Sequence, residues 1–272
     1  MIFNIDDFIN MFFESGEIAK KYQAMTDIPY AIKNDKTKVS DADIKINDYI
    51  RKFLKKKFPT IKVLSEEDEF KNQNQAIQSN NFFIIDPIDG TNSFIEKKDF
   101  YTINLTLIYD QAPCISIIYA PNLELMLYAD INNTYKVTKD NGNINKTQIK
   151  NKIITNLDKR IKIITTKREK EIIEIKSFLS KYNFSYDFMH VSSSIKFCYV
   201  ALSQADVYIR KENIKLWDVA AGFHISKNAG LNVLNTKGDN LYEYFLKKNY
   251  LKNISNNDFR IDEFIITNSI LN

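Results

Sequence analysis

Two aspartates three residues apart, at the end of a strongly apolar run, form the most distinctive chemical feature of the sequence. The run 81–86 ends in Asp86, and Asp89 follows after Pro87. The run predicts a strand buried on both faces, and the proline predicts a turn directly after it. Buried carboxylates need a cationic partner, yet no Lys or Arg lies nearby in sequence. Because hard divalent cations such as Mg²⁺ take oxygen ligands, the pair predicts a metal site in preference to an ordinary Asp-Gly turn.

Three other clusters place carboxylates where they could join this site. The charge run SEEDEF contains Glu66 and Glu67 directly after the apolar run IKVL, although a charge run alone is usually a solvated loop. Asp218 opens an apolar segment, where an acid also stabilises a helix N-terminus. The stretch from Ser40 to Asp43 fits a capping box, S-x-x-D. Each of the three clusters therefore keeps a structural explanation beside the functional one.

The apolar spacing predicts the elements that position these clusters. Amphipathic spacing indicates helices over 5–22 and 46–57. The strands predicted in the first half are 61–65, 81–86, 101–109, 114–121 and 125–130. In the second half, the predicted strands are 161–166, 187–191, 205–210, 231–235 and 262–268, and the predicted helices are 168–181, 194–203 and 216–230. Alternation of strands and helices predicts an α/β fold built in layers.

A segment rich in Asn, Lys and Asp, residues 131–160, divides the chain in two. It predicts surface hairpins or a connector between halves 1–150 and 151–272. An N-terminal α+β half would carry the strand-end acids, and a C-terminal α/β half would carry Asp218. The predicted site then lies between the two halves.

Composition excludes several classes of protein. The 272 residues carry 38 Lys+Arg and 34 Asp+Glu, a net charge of +4, without the basic stripe of a nucleic-acid binder. Cys114 and Cys198 are too few for a disulfide framework and are expected to be reduced, buried thiols. His190 and His224 stand in apolar patterns and are expected in the core. The sequence contains no signal peptide, membrane-spanning run, zinc motif, nucleophile elbow or P-loop. A cytoplasmic protein is therefore expected.

Taken together and in this order, the clusters resemble the inositol monophosphatase superfamily of metal-dependent, lithium-sensitive phosphatases. That family shows an acidic pair, then DPxDGT, then WDxAAG. This chain has Glu66 and Glu67, DPIDGT at 86–91 and WDVAAG at 217–222. The resemblance implies a layered αβαβα sandwich, an α/β fold, and a Mg²⁺-dependent phosphomonoesterase.

The resemblance also implies the metal ligands. Glu66, Asp86 and the main-chain carbonyl of Ile88 would hold a first Mg²⁺. Asp86, Asp89 and Asp218 would hold a second, so that Asp86 bridges the two. Glu66 would also serve a third, weaker ion.

The family resemblance implies catalytic roles as well. Thr91, hydrogen-bonded to Asp43, would orient and deprotonate the attacking water, with Glu66 as the third catalytic residue. Glu67 would lie behind the ligands. Gly90 and Thr91 would contact the substrate's phosphate.

Within the superfamily, the stretches KNDKTKVSDAD, VLSEED, SSSIKFC and ADVYIRKENIKLWDVAAG are similar to the bacterial 3′(2′),5′-bisphosphate nucleotidases. The matching positions imply substrate contacts by Ser193, Ser194, Lys196 and Arg210. Such a substrate carries a second phosphate, which suits two charge-assisted contacts and a helix start. The implied reaction converts adenosine 3′,5′-bisphosphate to AMP and phosphate, which recycles a by-product of sulfate activation.

Two other functions stay open. An inositol or sugar phosphatase is disfavoured because such enzymes usually present an acid near Arg210. A regulatory RNA- or protein-binding member without catalysis is disfavoured by the full set of metal ligands. Ser192, in place of a Gly, and Ser93, in place of a Glu-like residue, depart from the branch pattern. The expected partner is a small nucleotide bisphosphate, with a homodimer possible, no nucleic acid, and peripheral attachment to the inner membrane as an alternative location.

Overall fold

Two large sheets and two short strand pairs hold the strands of the computed structural model, which describes residues 3–151, 160–212, 214–245 and 248–268. The short pairs are β1 (Tyr30–Ile32) with β2 (Lys38–Ser40), and β13 (Ile214–Lys215) with β15 (Arg260–Ile261). The seven-stranded sheet contains, in order, β3 (Lys62–Ser65), β4 (Phe82–Asp89), β5 (Thr102–Tyr109), β6 (Ala112–Ala120), β7 (Leu125–Ala129), β8 (Thr134–Asp140) and β9 (Asn143–Ile149). The five-stranded sheet contains, in order, β11 (Tyr186–His190), β10 (Ile161–Thr165), β12 (Val207–Arg210), β16 (Phe264–Thr267) and β14 (Asn232–Asn235).

The pairing of β3 with β4 brings the predicted acids together. These two strands are parallel, whereas the neighbouring pairs from β4 to β9 are antiparallel. Parallel neighbours end at the same edge of a sheet. The backbone N–H of Glu66 accordingly donates to the carbonyl of Ile85 at 3.2 Å, just before Asp86.

Helices cover both sheets. They are α1 (Ile5–Gln23), α2 (Asp41–Lys57), α3 (Phe70–Ile77), α4 (Thr91–Ile95), α5 (Glu169–Leu179), α6 (Ile195–Ala201), α7 (Leu216–Asn228), α8 (Leu241–Phe245) and α9 (Lys248–Ile254). The start of α2 is fixed by a capping box between Ser40 and Asp43. Its last turn carries three lysines, which suits the negative end of the helix dipole.

Three cores define the layers. The first packs α1 and α2 against one face of the seven-stranded sheet, through residues such as Phe8 and Phe83. The second and largest lies on the opposite face and joins that sheet to α6, α7 and the five-stranded sheet, through residues such as Phe197 and Phe223. The third packs α5, through Ile175, on the outer face of the five-stranded sheet. The order helix, sheet, helix, sheet, helix confirms the predicted αβαβα sandwich.

One local prediction at the site is wrong. Pro87 does not end the strand, because β4 continues to Asp89 with a register shift between Asp86 and Asp89 against β5. An irregularity of this kind leaves residues outside the hydrogen-bond ladder, where a proline is tolerated. The two aspartates therefore sit on an irregular strand end instead of a separate turn.

Three other features of the fold differ from the sequence-based expectations. His190 is exposed, because β11 is the edge strand of its sheet, whereas His224 is buried as expected. Cys198 is buried but Cys114 is only partly so, and neither is in a disulfide. The β1–β2 hairpin before α2 was not predicted.

The two halves of the chain share a core. The seven-stranded sheet lies within 62–149 and the five-stranded sheet within 161–267, but the largest core draws on both. The division into 1–150 and 151–272 stays a prediction. Of the segment 131–160, β8 and β9 form a hairpin, and residues 152–159 lie outside the described residues. In the part of the chain that the structure describes, no helix has both the length and the apolar character to span a membrane.

Gly222 allows the close approach of α7 to α6, and it yields a first prediction. A Cβ at position 222 would clash with the ring of Phe197, which is itself buried. We expect Gly222→Ala to lower the free energy of unfolding by about 1–3 kcal/mol through overpacking, despite the better helix propensity of alanine. Urea unfolding measures the change.

The exposed Lys227 in the same helix provides the control. Lys227→Ala should leave the unfolding midpoint nearly unchanged. A neutral or stabilising Gly222→Ala would show that the contact between the two helices is looser than described.

Candidate active site

Most of the predicted site residues line a cleft of about 740 Å³, to which both halves contribute, whereas Asp43, Glu67 and Asp86 lie outside its lining. The floor carries acids from the ends of β3 and β4 and from the start of α7. Lys196 of α6 and Arg210 of β12 also line the cleft. We call the group of acids the acidic end of the cleft and these two cations its basic end.

The acidic end is built on Glu66, Asp86 and Asp218. Their carboxylates each place one oxygen within 4.8 Å of the other two. Asp86 is 1 % exposed, and neither of its carboxylate oxygens has a hydrogen-bond partner among the described residues. Buried, unpartnered oxygens grouped in this way fit a hard divalent cation.

The pKa values of these acids show that burying them close together disfavours their ionised forms. Burial, followed by the neighbouring carboxylates, raises the pKa of Asp86 and of Asp218 well above the usual range. Burial likewise raises the pKa of Glu66 to about 7, although Lys33 opposes the shift. Without a cation, the folded protein therefore disfavours the ionised forms that a metal would bind.

Lys33 is a functional candidate that the sequence analysis did not single out. Its Nζ lies 3.2 Å from Oε1 of Glu66 and 2.7 Å from Oε2 of Glu67. Burial disfavours its charge, but the two carboxylates outweigh burial and raise the pKa of Lys33. The repulsion within the charge run SEEDEF was the available signal, since such a run needs a nearby cation. Arg51 serves the same run through Asp68.

Thr91 and Asp43 meet as predicted, although 48 residues separate them. The Thr91 hydroxyl lies 3.4 Å from Oδ1 of Asp43 and 3.1 Å from the carbonyl of Ile88. The capping box fixes Asp43, whose Oδ2 accepts from the Ser40 backbone at 2.8 Å and from the Ser40 hydroxyl at 2.5 Å. Burial raises the pKa of Asp43 to about 6. Its Oδ1 is thus directed to Thr91.

Ser194 joins the two halves at the second predicted metal position. Its Oγ lies 2.5 Å from Oδ2 of Asp89 and 2.6 Å from the carbonyl of Asp218. The amide of Asn104 donates to the same Oγ at 3.1 Å. Asp89 itself is not a member of the compact group of three acids. The hydroxyl predicted to touch substrate is thus occupied by protein partners.

The other predicted substrate residues also lie in the cleft. Gly90 adopts a left-handed conformation with a φ of +92°, which a side chain would strain. Ser193, with a φ of +57°, lies just before α6. Lys196 is 3 % exposed, and its Nζ donates to the carbonyl of Ser193 at 2.5 Å and to that of Val191 at 3.4 Å. Burial lowers the pKa of Lys196 to about 8.

Two departures from the family pattern contact each other. The hydroxyls of Ser93 and Ser192 lie 2.7 Å apart, and Ser192 also donates to the carbonyl of Phe100 at 2.6 Å. Serine at both positions therefore forms a second polar link between the halves beside the cleft.

Sequence comparison agrees with this geometry. The model of the inositol monophosphatase family matches residues 8–265. The 3′(2′),5′-bisphosphate nucleotidase CysQ of Salmonella typhimurium is 31 % identical over 238 residues, which cover 86 % of this chain and 90 % of that protein. Inositol monophosphatase 1 of Saccharomyces cerevisiae is 29 % identical over 209 residues, which cover 72 % of this chain and 68 % of that protein.

Solved structures show the same fold. CysQ from Bacteroides thetaiotaomicron aligns with a TM-score of 0.72 at 21 % identity, over 97 % of both chains. An IMPase from Thermotoga maritima aligns with a TM-score of 0.73 at 21 % identity, over 97 % of this chain and 91 % of that one. The resemblance stated from the motifs is confirmed, and so is the expected class of enzyme, a phosphatase. The chain belongs to the inositol monophosphatase family.

Proposed function

We propose that the protein is a Mg²⁺-dependent phosphatase that removes the 3′-phosphate of adenosine 3′,5′-bisphosphate and gives AMP and phosphate. One observation carries the proposal: the same cleft brings together a cluster of acids and two buried cations, Lys196 and Arg210. The names of the CysQ relatives support the same substrate class. The reaction would recycle a by-product of sulfate activation.

The metal ligands proposed are those that the motifs imply. Glu66, Asp86 and the Ile88 carbonyl are assigned to one Mg²⁺ ion, and Asp86, Asp89 and Asp218 to a second, with Glu66 available to a third. The unpartnered oxygens of Asp86 support this assignment. When bound, Mg²⁺ acts as a Lewis acid that promotes ionisation of water and neutralises charge on the leaving oxygen.

Thr91 and Asp43 are proposed to handle the proton of the attacking water. Because Ser40 occupies Oδ2 of Asp43, Oδ1 is left to accept a proton passed through the Thr91 hydroxyl. With a pKa of about 6, Asp43 is mostly ionised at neutral pH and can serve as a general base. Gly90 and Thr91 contact the phosphate, and Glu67 holds Lys33 behind Glu66.

The basic end is proposed to bind the second phosphate. Lys196 and Arg210 supply charged donors, and Ser193 lies beside them at the start of α6. An inositol phosphate carries no such second phosphate, so these buried cations favour the nucleotide over an inositol or sugar phosphatase. The complete set of acids favours an enzyme over a regulatory binding protein. Cytoplasmic location, attachment to the inner membrane and a homodimer stay predictions.

The direct test measures Mg²⁺-dependent phosphate release from adenosine 3′,5′-bisphosphate and from inositol 1-phosphate, with and without Li⁺. We expect the nucleotide to be preferred and Li⁺ to inhibit. Preference for inositol 1-phosphate would overturn the substrate. No release from either substrate would favour the regulatory alternative.

Removing the charge of one proposed metal ligand should abolish turnover and leave the fold intact. We expect Asp89→Asn and Asp218→Asn each to lower kcat by at least about 100-fold, because charge stabilisation at the reacting phosphate is lost. Asp48→Asn, which alters an exposed carboxylate of α2, is the matched control and should keep full activity. Near-normal phosphate release by either folded variant would contradict the metal assignment.

Stability should depend on pH and Mg²⁺ together. A carboxyl whose pKa is raised on folding adds stability below its unfolded pKa, and that stability is lost as pH rises through the folded pKa. For Glu66 this window runs from 4.5 to about 7. The contribution of Glu66 to the stability of the metal-free protein should therefore be lost from acidic to neutral pH, and Mg²⁺ should raise Tm by at least about 3 °C more at pH 8 than at pH 5.

Asp218→Asn serves as the check on this explanation. It should raise Tm without Mg²⁺, because one repelling charge is gone, and should reduce the gain on adding Mg²⁺. His224 has the opposite effect on the dependence of stability on pH. Burial lowers the pKa of His224 to about 4, so stability is lost as pH falls from 6.5 towards 4. A Mg²⁺ effect that is independent of pH would argue against the carboxylate cluster as its source.

A further inference from the structure

Glu171 is a buried carboxylate outside the metal cluster, and the mechanism above gives it no role. It lies in the first turn of α5 and is fully shielded from solvent. Its Oε2 accepts from the Thr166 hydroxyl at 2.6 Å and from Nη1 of Arg210 at 3.0 Å. Its Oε1 accepts from the backbone N–H of Lys211 at 3.3 Å. Donors from two other parts of the second half therefore fix the carboxylate.

Arg210 is the group that this carboxylate holds. It is 5 % exposed and lines the cleft. Glu171 occupies Nη1, and Nη2 lies 3.8 Å from Oε2 of Glu212. The buried Nε has no hydrogen-bond partner in the described parts of the chain. A buried donor without an acceptor is unfavourable, so this one fits a ligand that brings an acceptor.

We propose that Glu171 is a positioning residue, which orients Arg210 so that its free edge meets the second phosphate of the substrate. The inference rests on the proposed function. Glu171 neutralises much of the charge of Arg210, so Arg210 contributes mainly hydrogen bonds of fixed direction. Its planar guanidinium matches the geometry of phosphate oxygens. Lys196 supplies the charge, since its Nζ donates to backbone carbonyls. Glu171 thereby sets the preference for substrates with two phosphates.

A purely structural ion pair between α5 and β12 is the competing explanation. It predicts that loss of Glu171 lowers stability and affects all substrates alike. Positioning predicts that only the substrate with a second phosphate is affected. Adenosine 3′-monophosphate, which lacks only the 5′-phosphate, separates the two explanations.

The experiment measures kcat and KM of the full chain with Mg²⁺ on adenosine 3′,5′-bisphosphate and adenosine 3′-monophosphate. Wild type should prefer the bisphosphate in kcat/KM by at least about 10-fold. Glu171→Leu should reduce that preference by at least about 5-fold, through KM for the bisphosphate, with KM for the monophosphate within about 2-fold of wild type. Glu171→Gln, whose amide oxygen still accepts from Arg210, should keep most of the preference.

Further variants keep the test decisive. If Glu171→Leu fails to fold, Thr166→Val takes its place in the test. It removes one hydrogen bond to Glu171 without leaving a charge unpaired, and it should reduce the preference for the bisphosphate. In an Arg210→Met background, Glu171→Leu should have no further effect on the preference. Glu174→Leu, which alters the same helix at the surface, is the control and should match wild type.

The outcomes distinguish a failure of the proposed function from a failure of the positioning role of Glu171. If wild type releases no phosphate from the bisphosphate, the proposed function fails before any variant is compared, and if it releases phosphate from both nucleotides without preference, recognition of the second phosphate by the basic end fails. If wild type prefers it and the preference survives in Glu171→Leu, or both substrates lose activity in parallel, the positioning role is overturned and the proposed function stands.

Discussion

The mutual repulsion of Glu66, Asp86 and Asp218 is the constraint on which the rest of the structure depends. Burial takes these carboxylates out of water, and their closeness raises the pKa of Asp86 and Asp218 further. The framework must hold them together against this repulsion. It does so with two parallel strand ends, β3 and β4, and with the first turn of α7, where the helix dipole favours a negative charge. Packing of the cores around these elements must therefore offset the repulsion of the acids.

The protein offsets part of this repulsion with its own cations. Lys33 pairs with Glu66 and Glu67 from the hairpin region before α2. A metal ion at Glu66 would compete with this lysine, so the hairpin and the metal are linked through one carboxylate. The net charge of +4 hides this internal arrangement, because it averages an acidic and a basic end of one cleft.

How much the residues alone predict depends on whether a signal is local, and the long-range pair of Thr91 with Asp43 was predicted only through the family resemblance. The strand before Asp86, the capping box at Ser40 and the acid at the start of α7 all depend on neighbours a few residues away, and all were predicted. Lys33 and Glu171 were missed because their partners lie 33 and 39 residues away, and no periodicity marks such pairs. Pro87 was misread for a related reason, since the strand irregularity that accommodates it exists only in the pairing with β5.

The acidic end and the basic end of the cleft depend on different kinds of contact. The acidic end depends on the ends of β3 and β4 in the seven-stranded sheet and on the start of α7, so it changes only if these elements move. The basic end depends on side-chain pairs such as Arg210 with Glu171, which link one helix to one strand and can be exchanged locally. Ser194 links the two halves of the chain at the acidic end, because its hydroxyl contacts both Asp89 and the backbone of Asp218. If the proposed function holds, substrate preference can change at the basic end without moving the acids, provided that the link through Ser194 is kept.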